Sequence, residues 1–554
     1  MKNTLKLAIL VCLLAFATGC KKEITGNQGH EHEYTQPEGF ADLVRYHMEN
    51  RIFSEAKDDG ASVTLYFYDA NGLDISSFEI NDCRKVSPEK VTLSGQKWMV
   101  GDNEAEYPYT PELESLSAYP IYVYYDENTL FVHVSNGEIL KFKSMNALQN
   151  IPEVRISTSV DITSITKTTY VPGTISISDP ENLYSAESEF TATMNIRGRG
   201  NSTWNFHKYK KPWRVKLDTK ASVLGMPENR DWVLLANYAD RTLVRNIVAM
   251  RLSEICGFSW TPKMYSVNVY FNDKYIGVYS LSEHKEVAKN KVNIDVVKPT
   301  DNSGEALEGG YYFEIEYSMD NPTCWKTAKM GVPMMFSDPE IPTQEQYDYV
   351  RKYFNDFETA LNSSSFADPD NGYAKYVDVE SFVNYFIIQE LTKNIDGNFR
   401  KSTFITKERG KKLELYHVWD FDLTMGNYGG FPSAVGQGPE NWFTKDYVDR
   451  YGNGNNVYGN NWLTLMCKDP AFKARLVARW DELLPRFREI PAYIDDQVFR
   501  LKKASAMNFN FISIYEYAYW VMIPPLGSYE AEVEYLKKFY TERLEWMDKN
   551  IRLL

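Results

Sequence analysis

Hydrophobic positions change their spacing near the middle of the chain. Up to about Pro299 they alternate with polar residues at a period of two, and beyond Pro342 they recur every three or four, the periods of strands and of helices. Ser62-Val-Thr-Leu-Tyr-Phe-Tyr68, Ile121-Tyr-Val-Tyr-Tyr125 and Thr129-Leu-Phe-Val-His-Val134 read as strands, and Asp126-Glu-Asn128 as a turn. With a short helical pattern from Phe40, residues 39–153 predict a small β-rich accessory domain. From 154 onward strands and turns dominate, with one helical interval at Thr242 to Cys256. Val267 to Phe271 and Tyr275 to Leu281, separated by Asn272-Asp273, predict a hairpin. Helices are predicted at Glu345 to Leu361, Val379 to Lys393, Pro470 to Arg486 and Ser528 to Ile551. In the last, Leu536, Tyr540, Leu544, Met547 and Ile551 line one face and Ser528 is a suitable N-cap. Strands first and helices later predict an α+β architecture with two lobes over 154–554.

The ends change this picture. Residues 1–20 have the parts of a secretory signal: Lys2 and Lys6, an apolar run from Leu7 to Phe16, then small residues. The run is too short to span a bilayer stably. Ala17-Thr-Gly-Cys20 resembles a bacterial lipobox, so Cys20 is expected to carry a lipid and to anchor the chain in the cell envelope, on the periplasmic side or at the outer-membrane surface. Residues 21–38 are polar and aperiodic, which reads as a tether. His30-Glu-His32-Glu within it reads as incidental to that tether, although the pair could bind a metal. Cys83, Cys256, Cys324 and Cys467 lie far apart without C-x-x-C spacing, which argues against a zinc site and permits two disulfides without implying them. At 554 residues and 43% hydrophobic content the chain can bury more than one core.

Charge adds a contrast. The chain carries a formal net charge of -14, which argues against nucleic acid as a partner. Yet between Arg197 and Leu217, in RGRGNSTWNFHKYKKPWRVKL, seven lysine and arginine side chains and His207 crowd together. Such a local concentration suits a small anion bound at one place. Trp213, Val215 and Leu217 alternate with Arg214 and Lys216, so in a strand the cations share the face away from the core. Gly198 and Gly200 would let backbone N–H groups approach a ligand, with Asn201, Ser202 and Thr203 as neutral donors.

A second constellation lies in the other half. Lys393-Asn-Ile-Asp396-Gly-Asn398-Phe-Arg-Lys401-Ser402 follows a predicted helix, and Leu413-Glu-Leu-Tyr-His-Val-Trp-Asp420-Phe-Asp422 reads as a strand ending in carboxylates. The two ends meet if the segment between them folds back as a hairpin. Phosphoryl transfer uses such a pair, one carboxylate for the acceptor hydroxyl and one for Mg²⁺ on the phosphates. The same aspartates could instead cap turns, or hold a structural calcium.

IRGRGNSTW, KKPWRVKL, LGMPENRDWVLLANYADRTLVRN, YIGVYSLSEH, NIDGNFRKSTF and VWDFDLTMGN together resemble the CotH kinase family, first known from spore-coat proteins. The match is strong from Met194 to Asn427 and diffuse to Leu554. The resemblance implies an atypical protein-kinase-like fold binding ATP with Mg²⁺ or Mn²⁺ between two lobes, and a serine or threonine of a protein as acceptor. It places the catalytic carboxylate on Asp396 and metal ligands on Asp420 and Asp422. By the same likeness Lys216 is the candidate phosphate lysine, supported by Arg197, Arg199 or Arg214, with Glu283 as its ion-pair partner. Protein kinases carry a metal-binding asparagine five residues after the catalytic aspartate. Here that position is Lys401, with Ser402 next, and Asn398 is the candidate replacement. Two functions follow: an exported protein kinase, or a surface lipoprotein that keeps the fold as a binding module without turnover.

Overall fold

The structure is a computed structural model that describes residues 149–554, apart from 207–209, 396, 398, 400, 430–437, 444–460 and 520, and of residues 1–148 only the backbone of strands between 52 and 143. The signal segment, Cys20, the tether and the helical pattern near Phe40 lie outside the described residues. The expected strands are present as Ser62–Tyr68, Pro120–Tyr125 and Thr129–Val134. They belong to separate small sheets, the first between Ile52–Asp58 and Ile75–Asn81, the other two side by side.

Seven strands follow: β1 (Glu153–Thr158), β2 (Val171–Ser178), β3 (Glu189–Gly198), β4 (Trp213–Val223), β5 (Met226–Leu235), β6 (Met264–Phe271) and β7 (Lys274–Glu283). They close into a barrel in the order β1-β2-β3-β4-β5-β7-β6, with β6 returning parallel to β1. Closure leaves no free strand edge. Trp213, Val215 and Leu217 point into the core, all about fully buried, while Arg214 and Lys216 stay half-buried on the other face. The β6–β7 hairpin turns at Asn272 and Asp273, whose φ angles of 45° and 63° are the two positive values that a tight two-residue turn requires.

A second sheet has five strands, β8 (Tyr311–Ile315), β9 (Cys324–Lys326), β10 (Pro333–Asp338), β11 (Thr403–Lys407) and β12 (Leu413–Val418), in the order β9-β10-β8-β11-β12. Strands β11 and β12 are the hairpin expected between the two carboxylate segments.

The helices used below are α1 (Arg245–Cys256), α2 (Gln344–Leu361), α3 (Val379–Thr392), α4 (Pro470–Phe487), α5 (Ile490–Arg500), α6 (Lys502–Phe511) and α7 (Tyr529–Asn550). Their ends obey local chemistry. Thr343 and Gln346 form a capping box on α2, Asp378 accepts from Ser381 N at the start of α3, and Ser528 accepts from Ala531 N at the start of α7. Helix α1 ends at Gly257, in the left-handed conformation with φ 72°. Among the described residues no helix is long and apolar enough to cross a membrane.

The mixed α/β character agrees with the sequence pattern, whereas the closed barrel and strands β8 to β10 do not appear in it. Strand β8 shows why. Tyr311, Tyr312, Phe313 and Ile315 are all buried, and a strand covered on both faces loses the alternation that marks it.

Candidate active site

Barrel, α1 and the five-stranded sheet meet at a cleft of about 360 Å³. From the barrel side come Arg199 to Thr203 and Leu235 to Ala239; from the sheet side come Glu314, Glu316, Lys401, Ser402, Trp419, Asp420 and Asp422. Lys285, just past β7, and Asn246 on α1 complete the polar lining.

The two aspartates leave β12 on a short loop. Asp420 has φ 71°, and its carboxylate Oδ2 accepts a 3.3 Å hydrogen bond from Ser402 Oγ. Ser402 itself has φ 52°, and Gly200 and Asn237 on the opposite wall have 77° and 51°. Left-handed backbone at non-glycine residues persists where surrounding bonds over-determine it, and it gathers at functional sites. Such bonds surround this loop: Phe421 N–H donates to Asn246 Oδ1 at 2.8 Å, and Asn427 Nδ2 donates to Asp422 O at 2.7 Å and to Ala239 O at 2.6 Å. Met425 N–H donates to Thr392 O at the end of α3.

Opposite charges face each other across the cleft. Burial lowers the Arg199 pKa, with Asp420 and then Glu314 acting the other way. Its guanidinium also lies 6.0 Å from the Trp419 ring. Lys285 pairs with Glu314 and sits 4.1 Å from the centre of the Phe404 ring. His284 is pushed well below the usual histidine range, first by burial and then by Arg214, Arg199, Lys285 and Lys291. Its environment is one of positive potential.

The sequence candidates fall into three groups. Arg199, Asp420 and Asp422 come together in the cleft, with Asn201, Ser202 and Thr203. Lys216, Arg197, Arg214 and Glu283 do not line it. Arg197 donates to Lys167 O and lies over the Tyr170 ring, and Arg214 donates through Nε and Nη2 to Asp231 Oδ1. Glu283 accepts from Asn229 Nδ2 and Lys263 N–H, so the partners of its carboxylate are these and not Lys216. Burial raises its pKa against those bonds. Asp396 and Asn398 lie outside the described residues. Between them, Gly397 has no room for a side chain, because a Cβ would lie 2.7 Å from Asn394 Nδ2 and 2.8 Å from Gln389 Oε1.

Gly198 also differs from expectation. A Cβ there would sit 2.2 Å from the Trp204 ring, and its N–H donates to Thr166 O, so this glycine makes room for Trp204 and not for a ligand. Gly200, by contrast, does line the cleft. Lys285, Glu314 and Asn246 carried no sequence signal of their own. Lys285 stands two residues beyond Glu283 in LSEHK, directly after a stretch that the sequence already marks.

Among the described residues no group of three histidine, cysteine or acidic side chains could hold a metal. Mg²⁺ needs less than that: one or two carboxylates, with ligand phosphates and water completing an octahedron of oxygens. Asp420 and Asp422, with the Ser402 hydroxyl against Asp420, are such a hard oxygen set.

Cations and carboxylates gathered in one cleft, between a β-barrel and a mixed sheet-and-helix body, suit a charged ligand. Residues 196–547 match the model of the CotH kinase protein family. The chain belongs to that family, and a kinase-like function goes with membership. No curated protein matches the chain.

Proposed function

We propose that this chain is an exported protein kinase that transfers the γ-phosphoryl group of ATP to a serine or threonine hydroxyl of a protein. In this reading the barrel and the helical body act as the two lobes of a kinase-like fold, residues 39–153 form an accessory domain, and the cleft takes the nucleotide. One observation carries it: Arg199 and Lys285 share a cleft with Asp420 and Asp422, the charges that a triphosphate and a divalent cation require.

Arg199 and Lys285 bind and orient phosphate oxygens. Asp420 and Asp422, with Ser402 beside them, would hold Mg²⁺ or Mn²⁺, which supplies neutralisation of phosphate charge when bound. Asp396, by the family likeness, receives the proton of the acceptor hydroxyl. The acceptor oxygen forms a bond to the γ-phosphorus, the bond from that phosphorus to the β-bridging oxygen breaks, and ADP leaves with the electron pair.

A second reading, a binding module without turnover, is favoured by Lys401 and Ser402 standing where protein kinases carry a metal-binding asparagine. Calorimetry of ATP without metal, with Mg²⁺ and with Mn²⁺, followed by transfer of labelled γ-phosphate to serine-rich peptides, separates the two. Metal-dependent binding with transfer supports the kinase; tight binding with no transfer under either metal supports the module; no binding sinks both uses of the cleft for ATP. Export rests on the N-terminal segment, and the anchor is Cys20. Cells expressing Cys20→Ala should incorporate no labelled fatty acid into this protein, and retained label would disprove the anchor.

A further inference from the structure

Asn246 is the second residue of α1, 7% exposed, and it lines the cleft beside the aspartates. Its carboxamide has two ends, and the structure distinguishes them. The atom 2.8 Å from Phe421 N must be the oxygen, because a backbone N–H can only donate. The Nδ2 amide therefore points the other way, and among the described residues it has no acceptor. The residue as a whole is buried, but this donor is open to solvent and free to meet whatever occupies the space beside it. Here the space next to it is the cleft.

The oxygen end has a definite task. Phe421 lies between Asp420 and Asp422, so the bond from its N–H fixes the backbone from which both carboxylates project. Arg245, the preceding residue, reinforces the same loop through Nε to Thr424 O at 3.1 Å, while its Nη1 is held by Asp240 Oδ1 at 2.6 Å. Both side chains of the Asp240–Arg245 pair are buried. The first turn of α1 thus holds the acidic loop from the barrel side.

We infer that Asn246 is a two-ended site residue, positioning the Asp420–Asp422 backbone through Oδ1 and donating through Nδ2 to a phosphate oxygen of the bound nucleotide. This rests on the reading of the cleft as an ATP site. A neutral N–H that meets an anionic oxygen in a desolvated place strengthens as charge is brought to it, and it needs no reorganisation to do so.

Two variants separate the two ends. Asn246→Asp keeps an oxygen for Phe421 N–H and replaces the donor with a second acceptor. Asn246→Leu removes both. Thermal melting, calorimetric binding of ATP, inorganic triphosphate and adenosine with Mn²⁺, and amide exchange at Phe421 are measured on the full chain. Both variants should lose about tenfold or more in affinity for ATP and for triphosphate, with adenosine binding unchanged. Only Asn246→Leu should melt lower and speed exchange at Phe421. If Asn246→Leu does not fold, Asn246→Asp alone decides the donor role. Wild-type ATP binding with unaltered triphosphate affinity in Asn246→Asp overturns the donor role and leaves the ATP site standing. Unaltered exchange at Phe421 in a folded Asn246→Leu overturns the positioning role. A wild-type chain that binds neither ATP nor triphosphate overturns the ATP site, and the donor role with it.

Discussion

Replacing Lys285 with alanine tests which cation of the protein holds the phosphates. Lys285 and its partner Glu314 line the cleft, with side chains 20% and 13% exposed, so the pair is only partly screened by water. A charge-assisted contact between the ammonium and a phosphate oxygen contributes about 1.5–3 kcal/mol, roughly ten- to a hundredfold in Kd. The substitution has a second effect, because it leaves the Glu314 carboxylate facing an incoming polyanion. At an effective dielectric near 20, like charges about 4 Å apart repel by about 4 kcal/mol, and solvent at the open side reduces that. The loss in Lys285→Ala should therefore lie at the upper end of the range, on the order of a hundredfold. Adding Glu314→Gln removes the repulsion and should return part of the affinity. Lys216→Ala is the control, since Lys216 projects from the barrel without reaching the cleft lining. Calorimetric titration of each purified variant with ATP and Mn²⁺ gives the comparison. Wild-type affinity in Lys285→Ala, or an equal loss in Lys216→Ala, would refute the assignment.

Other perturbations act at different places. Asp420→Ala should abolish the tightening of ATP binding by Mn²⁺, whereas Asp396→Ala should keep most of it and lower turnover, because a carboxylate serving the acceptor contributes mainly in the transition state; equal loss of binding in both would mean a single metal site. Glu390 and Arg543 form a pair with both side chains fully buried, 2.8 Å apart, and Glu390 Oε2 also accepts from Phe443 N, so Glu390→Gln should cost about 3 kcal/mol by removing the counter-charge of a buried guanidinium that keeps its bonds to backbone carbonyls. Urea unfolding would show it, with the double change Glu390→Leu and Arg543→Met expected to cost less than the single one; a single-variant loss under about 1 kcal/mol contradicts the burial argument. Burial first, and Arg543 beside it, push Lys393 down to about 7, against about 10.4 in an unfolded chain. The unfolded state then binds more protons between those values, so the penalty of holding Lys393 is full below about pH 7 and is relieved as pH rises toward about 10. The urea midpoint of Lys393→Met should accordingly depend less on pH in that window than that of the wild type, and parallel pH profiles would count against it.

Where the chain folds locally, its sequence was enough. The helices α2, α3, α4 and α7 begin and end within a few residues of the periodic pattern, because caps such as Thr343, Asp378 and Ser528 act over a single turn. The β6–β7 turn at Asn272-Asp273 and the alternation of Trp213, Val215 and Leu217 were legible for the same reason. The helices α5 and α6 were not, and they follow one another with only Leu501 between them. Of the charged candidates, the two aspartates after β12 and Arg199 were brought to one cleft.

The rest required distant parts of the chain to meet. Nothing near Lys216 or Lys285 in the sequence says which one faces the aspartates. The choice is made in space: Lys285, just past the end of β7, lines the cleft together with Asp420 and Asp422, whereas Lys216, paired within β4 between β3 and β5, does not. Glu283 was one residue of a visible motif, yet its carboxylate is taken by Asn229 and Lys263 N–H, groups 54 and 20 positions away. Asn246 and Phe421 are separated by 175 positions, and no local preference could have joined them. The sequence by itself determined the family, the capped helices α2, α3, α4 and α7, the β6–β7 hairpin, and which carboxylates come late in the chain, since those depend on short-range periodicity and on motifs that stay together. Tertiary structure alone decided which cations face them and which side chain holds their backbone, because a charge finds its partner in space and burial then makes that pairing costly to change.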